Sequence, residues 1–227
     1  MVRLENIKVI YHKNTPLAKV VLDNINLEIK DSEFVAITGG NGAGKSTIAK
    51  LIAGEIPCAN GKIFINEQDC TKLGVVARSS MIARVFQDPM RGTAPELTVL
   101  ENMAFAAKRG TKRGLNLAIN PDIRHYFAER LHQVDMDLES KLDYRVSSLS
   151  GGQRQALSLI MATLCPAKLL ILDEHTAALS LKAARTIMDL THKIIREQKL
   201  AALMITHNPV EAERSDRILH LDNGKLD

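Results

Sequence analysis

Short runs of alternating apolar and polar residues dominate the first part of this chain of 227 residues. Leu4, Ile7 and Val9, then Val21 and Leu22, then Ile25, Leu27 and Ile29, and later Ile63 and Ile65 predict short strands up to about Asn66, some of them antiparallel. From about Pro89 to Pro166 the spacing becomes helical, in Leu97-Leu100-Met103-Ala104-Ala107, Ile123-Phe127-Leu131-Val134 and Ala156-Leu159-Ile160-Thr163-Leu164. A helical subdomain is therefore expected over about 89–166. The pattern then turns to strand, helix, strand: Leu169 to Leu172, a helix from about Leu181 to Gln198, and Ala201 to Ile205. Two short buried runs joined by an amphipathic helix fit a right-handed parallel crossover. With neither an internal repeat nor a low-complexity linker, the chain reads as one α/β domain over 1–227.

Chemistry enters directly after the apolar run Phe34-Val35-Ala36-Ile37. Gly39, Gly40, Asn41, Gly42, Ala43, Gly44, Lys45, Ser46 and Thr47 satisfy the pattern G-x-x-x-x-G-K-[ST]. A triphosphate carries dense negative charge, and a loop that holds it needs many backbone N–H groups turned inward. Glycines at 39, 40, 42 and 44 permit angles and approaches that a Cβ would block. Lys45 can set its ammonium against the β and γ phosphates, Ser46 can offer a hydroxyl to Mg²⁺, and a helix from about Gly44 aims its positive end at the same anion. Chance meets the four fixed positions in roughly one chain of this length in a hundred.

Two further motifs build on that loop. Leu169 to Leu172 is an apolar strand that runs into Asp173 and Glu174. In an α/β sheet such strand ends face the ligand crevice. Asp173 suits the Mg²⁺ shell, and Glu174 suits polarisation of the water that attacks the γ phosphate. Upstream, Leu149-Ser150-Gly151-Gly152-Gln153 opens a helix, with Ser150 as its N-cap and two glycines exposing N–H groups. This is a second anion site.

Composition narrows the setting. Hydrophobic residues make up 45% of the chain, enough for a full core, and the net charge is only +4. Lys108, Arg109, Lys112 and Arg113 cluster around Gly110, either as a solvated loop or as a contact for a membrane surface or acidic partner. Cys58, Cys70 and Cys165 form no C-x-x-C pair and are odd in number, which argues against a disulfide framework or zinc site and fits a reducing, cytosolic compartment. No run approaches 18 consecutive apolar residues, and the start lacks the apolar core of a secretory signal, so a membrane crossing would belong to another chain.

The order of the phosphate loop, Gln87 after an apolar strand, Leu-Ser-Gly-Gly-Gln, the Asp-Glu strand end and then His207 after another strand resembles the ATP-binding subunit of ABC transporters over essentially the whole chain. The resemblance implies a P-loop NTPase (RecA-like) core with an N-terminal antiparallel β subdomain and an inserted helical subdomain. It also implies two subunits head to tail, with each ATP sandwiched between one copy's loop and the other's signature. Lys45, Ser46 and Thr47 would then grip phosphates and Mg²⁺, Gln87 would reach Mg²⁺ and water, and Ser150, Gly151, Gly152 and Gln153 would meet the partner's γ phosphate. Glu174 would be the base, His207 a γ-phosphate contact, and Tyr11 would stack on adenine. The implied partners are a second copy, transmembrane permease subunits fed through the segment from Gln87 to about Leu97, and a solute-binding protein. The chain would work peripherally on the cytoplasmic face of the membrane, as an importer-type motor for a small solute such as an amino acid, with no nucleic acid and, since it stops at Asp227, without a regulatory domain.

One position departs from the family. Where the loop after Glu174 normally ends Ala-Leu-Asp, this chain has Ala178-Leu179-Ser180, which puts coupled hydrolysis in question while leaving Ser180 able to cap the next helix. His175 replaces a customary proline and reads as local variation, and His125, His132 and His192 read as solvated helix positions. The alternatives are a soluble ABC ATPase of iron–sulfur cluster assembly and a hydrolysis-poor ATP-binding module. A DNA-repair or ribosome-associated ATPase would need a coiled-coil insertion or a second fused unit. A GTPase would need an Asn-Lys-x-Asp motif, which this chain lacks.

Overall fold

The computed structural model describes residues 1–111 and 119–227. The elements run β1 (Val2–Tyr11), β2 (Lys19–Ile29), β3 (Phe34–Thr38), α1 (Lys45–Ala53), β4 (Asn60–Ile65), β5 (Gln68–Asp69), α2 (Val75–Arg78) and β6 (Ile82–Val85). They continue with α3 (Val99–Ala106), α4 (Pro121–His132), α5 (Gly151–Thr163), β7 (Leu169–Asp173), α6 (Leu181–Gln198), β8 (Ala202–Ile205), α7 (Pro209–Ala212), β9 (Arg217–Asp222) and β10 (Lys225–Leu226). Two compact units result. One comprises Met1–Arg84, Ala167–Glu174 and Ile195–Asp227; the other comprises Val85–Pro166 and His175–Ile194. The helical region expected over 89–166 thus takes in four more residues at its start and gains most of α6.

The first unit holds two sheets. An antiparallel sheet has the order β2-β1-β4-β5, and a six-stranded sheet has the order β10-β9-β3-β8-β7-β6. In the latter, β3 runs parallel to β8 and β9, and β7 runs parallel to β8. Strand β3 is buried on both faces, as its unbroken apolar sequence requires. The antiparallel sheet explains an oddity of spacing. Leu4 to Ile7 and Leu22 to Ile25 each step by three, yet all four side chains are buried, because Asn6 (φ 50°) and Asn24 (φ 56°) turn left-handed and shift the register. The segments at Val21-Leu22 and Ile25 to Ile29 are consequently one strand, not two. Ile7, Leu22, Ile37, Ile48, Leu51, Leu203 and Ile205 share one apolar core. Each such side chain contributes about 1.5–3 kcal/mol.

In the second unit, helices start on side-chain caps. Thr98 and Glu101 form a reciprocal capping box on α3, and Asn120 accepts from the Ile123 N–H of α4, which has proline in its first turn. The basic cluster around Gly110 divides here. Arg109 donates to the Ala162 and Cys165 carbonyls at the C-terminal end of α5, so this arginine is a structural cap rather than a free surface charge. Lys112 and Arg113 lie outside the described residues. Among the described residues no helix is long and apolar enough to cross a membrane, and the three cysteines are unpaired.

Candidate functional site

The loop after β3 is shaped by its neighbours. Gly39 has φ 146°, and a Cβ there would lie 2.1 Å from the Leu221 carbonyl oxygen; at Gly44, with φ 109°, it would meet Leu22 at 2.9 Å. Gly39 therefore excludes a side chain on steric grounds alone, and Gly44 disfavours one chiefly through its positive φ. Gly40 differs, because a Cβ would meet nothing of the described residues within 4 Å. Gly44 caps α1, whose N-terminal end points into the loop. Lys45 is buried, and its ammonium donates to the Gly39 and Gly40 carbonyls at 2.8 and 2.9 Å, leaving a third N–H to offer.

Three other elements of the first unit bring side chains to this loop. Asp173, the last residue of β7, accepts from the Ser46 hydroxyl at 3.4 Å through Oδ1. Glu174 follows with φ 46°, a left-handed conformation that a residue with a Cβ holds only when its surroundings fix it. Its N–H donates to Ile205 at the end of β8, at 2.9 Å. Two residues beyond Ile205, His207 places Nδ1 3.6 Å from the Glu174 carboxylate, near but beyond hydrogen-bond length. The Tyr11 hydroxyl, at the end of β1, lies 3.3 Å from the Thr47 hydroxyl. Tyr11, residues 39–47, Asp173, Glu174 and His207 are thus assembled in one unit. Ser46 and Asp173 present hard oxygen donors side by side, the chemistry Mg²⁺ selects. No group of three or more His, Cys, Asp or Glu gathers among the described residues.

Gln87 and residues 150–153 belong to the second unit. Gln87 is exposed and opens onto Asp88, whose carboxylate accepts from the Met90 N–H. Ser150 caps α5 in a capping box with Gln153, and the Gln153 amide also donates to Met136 at 3.0 Å. Both ends of the Gln153 side chain are therefore engaged within the chain. Ser150 to Gln153, Met136, Ala178 to Ser180 and Ala183 line a recess of about 510 Å³. Ser180 caps α6 by accepting from the Ala183 N–H, as its sequence position suggested.

Two participants carried no sequence signal. Gln155 is fully buried and donates to the Phe86 carbonyl at 3.1 Å, pinning the residue before Gln87. Arg84 on β6 donates to the second oxygen of Asp173 at 2.7 Å. His175 is a buried structural residue, its Nε2 3.1 Å from the Thr191 hydroxyl.

Known proteins resemble this chain in sequence and fold. The ABC transporter family profile matches residues 22–177. A tyrosine transport ATP-binding protein of Clostridioides difficile is 38% identical over 227 residues, covering all of this chain and 90% of that protein. The lipoprotein-releasing system ATP-binding protein LolD of Leptospira interrogans is 30% identical over 212 residues, covering 91% of this chain and 84% of LolD. Among solved structures, the dimeric post-hydrolysis state of the ATP-binding cassette MJ0796 bound to ADP and Pi superposes with a TM-score of 0.85 at 29% identity, covering 100% of this chain and 97% of that one. Loop, strand ends, helix tip and relatives agree: the chain belongs to the ABC transporter family, as an ATP-binding subunit that hydrolyses ATP.

Proposed function

We infer that the chain binds ATP with Mg²⁺ on residues 39–47, hydrolyses it while paired head to tail with a second copy, and thereby drives a separate membrane permease for uptake of a small, amino acid-like solute. The observation that carries this is the meeting of Ser46, Asp173, Glu174 and His207 at one loop, a charged and hydroxylated cluster that the apolar core has no use for. Lys45 and the loop N–H groups bind the phosphates; Ser46 and Asp173 would hold Mg²⁺, which when bound supplies positive charge against the β and γ oxygens. Glu174 takes the proton of the attacking water, and His207 donates to the γ phosphate. Tyr11, beside Thr47, stacks on adenine, and Gln87 contributes to the metal and water positions.

Phosphoryl transfer to water asks mainly for positioning and charge stabilisation. The helix tip at Ser150, Gly151 and Gly152 presents N–H groups to the γ phosphate of the second copy, while Gln153 holds that tip in shape. Since the γ phosphate touches both copies, ATP favours the closed pair and hydrolysis releases it. A dimeric structural relative supports the pairing. The tyrosine transport relative supports an amino acid-like solute; a permease partner, a solute-binding protein and a peripheral position on the cytoplasmic side of the membrane complete the proposed complex.

The test is ATP turnover by the chain assembled with its permease in liposomes, with and without tyrosine. Glu174→Gln should lower turnover at least a hundredfold while ATP still binds. Equal turnover in the two proteins would remove Glu174 from this role, and turnover insensitive to tyrosine would remove the solute assignment.

A further inference from the structure

A third acid and a base stand behind Asp173. Arg84, on the edge strand β6, keeps only 7% of its side chain exposed. It reaches two carboxylates at once: Nη2 donates to Asp173 Oδ2 at 2.7 Å, and Nη1 donates to Glu55, just beyond the C-terminal end of α1. Asp173 is itself largely buried, with 14% of its side chain exposed, so its charge requires a partner. The planar guanidinium fixes direction as well as charge. With Oδ2 tied to Arg84, Oδ1 is the oxygen that faces the Ser46 hydroxyl.

We propose that Arg84 is a positioning residue for the metal of ATP hydrolysis: anchored by Glu55, it clamps one oxygen of Asp173 so that the other stands ready beside Ser46 for Mg²⁺. This rests on the reading of Ser46 and Asp173 as the Mg²⁺ pair. Acting through Asp173, Arg84 would be read in how strongly Mg²⁺ and ATP reinforce each other's binding. By linkage that reinforcement is a ratio of ATP affinities with and without the ion. Removal of a group that orients a metal ligand commonly weakens the metal by about 10- to 100-fold.

Equilibrium binding of a fluorescent ATP analogue, in EDTA and across a Mg²⁺ titration, reads that ratio without any turnover. Arg84→Met keeps the stem and removes the fork. It should cut the Mg²⁺-linked gain in ATP affinity by about tenfold or more, with binding in EDTA unchanged. Arg84→Lys, which keeps the charge but cannot grip two carboxylates in one plane, should fall between the variant and wild type. Asp173→Asn separates the two readings. If it leaves the Mg²⁺ gain intact, the Ser46–Asp173 assignment falls and the role of Arg84 with it. If it abolishes the gain while Arg84→Met and Arg84→Lys both match wild type, only the role of Arg84 is overturned. Loss of binding in EDTA equal to the loss in Mg²⁺ would make Arg84 a general scaffold residue and overturn it too.

Discussion

His175 follows Glu174 and is 2% exposed, with no charged partner among the described residues to compensate for its removal from water. Its Nε2 meets Thr191, whose hydroxyl lies 2.7 Å from the Ile187 carbonyl and donates there, so Thr191 accepts and His175 carries the proton on Nε2 as a neutral ring. Burial pushes its pKa down from 6.5 to about 4. The unfolded chain therefore takes up this proton first as pH falls, and the neutral ring's contribution, fully present above pH 6.5, is lost as pH falls toward 4. Between pH 7 and pH 5 the loss is about 2 kcal/mol. Urea denaturation of nucleotide-free protein in EDTA should show it, and His175→Leu should flatten the profile by that amount. Parallel profiles for the two proteins would mean that His175 is protonated inside the fold. The histidine is thus a structural residue, buried and paired with Thr191.

Between residue and molecule lie the contacts that set one element against its neighbour. Asn102 on α3 is 2% exposed and closes the loop before its own helix: Oδ1 accepts from the Ala94 N–H at 2.7 Å, and Nδ2 donates to the Ala94 and Thr98 carbonyls at 3.0 and 2.9 Å. Asn102→Ala would leave the Ala94 groups without these partners, at a cost of about 2–3 kcal/mol. Equilibrium unfolding should register the change, with the slope against urea unaltered. A cost below about 0.5 kcal/mol would show that water replaces the amide fully. Elements whose instructions are local were legible in the sequence: the N-cap at Ser150, the strand ending in Asp173, and the helix from Leu181 to Gln198. Elements defined by distant partners were not. Strand β9 reads Arg-Ile-Leu-His-Leu-Asp and has mostly exposed positions, and its pairing with β3 and β10 makes it a strand. Arg84 lies far along the chain from Asp173, so no spacing rule connects them. The left-handed Glu174 is likewise set by its surroundings, because its residue type gives no reason for it.

At the scale of the whole molecule, the proposed pairing makes the folded chain half of a catalytic site, and Gly151 separates pairing from folding. Among the described residues a Cβ at 151 would meet only Leu179, at 3.9 Å, and the residue is exposed at the first position of α5. Gly151→Asp thus fits the chain. A carboxylate at a helix N-terminus interacts favourably with the dipole, by about 0.3–1 kcal/mol, so the melting temperature should hold or rise slightly. The same charge would confront the γ phosphate of the second copy, where two anions at short range strongly oppose association. Sedimentation of Glu174→Gln with ATP and Mg²⁺ should show a dimer, and adding Gly151→Asp should leave a monomer with its ATP still bound. The contrast is informative because the isolated chain and the pair respond to one substitution with opposite sign, which a simple folding defect cannot produce. A Glu174→Gln protein that stays monomeric at saturating ATP would refute the paired site, and a double variant that still dimerises would place the second copy's contact away from the α5 tip.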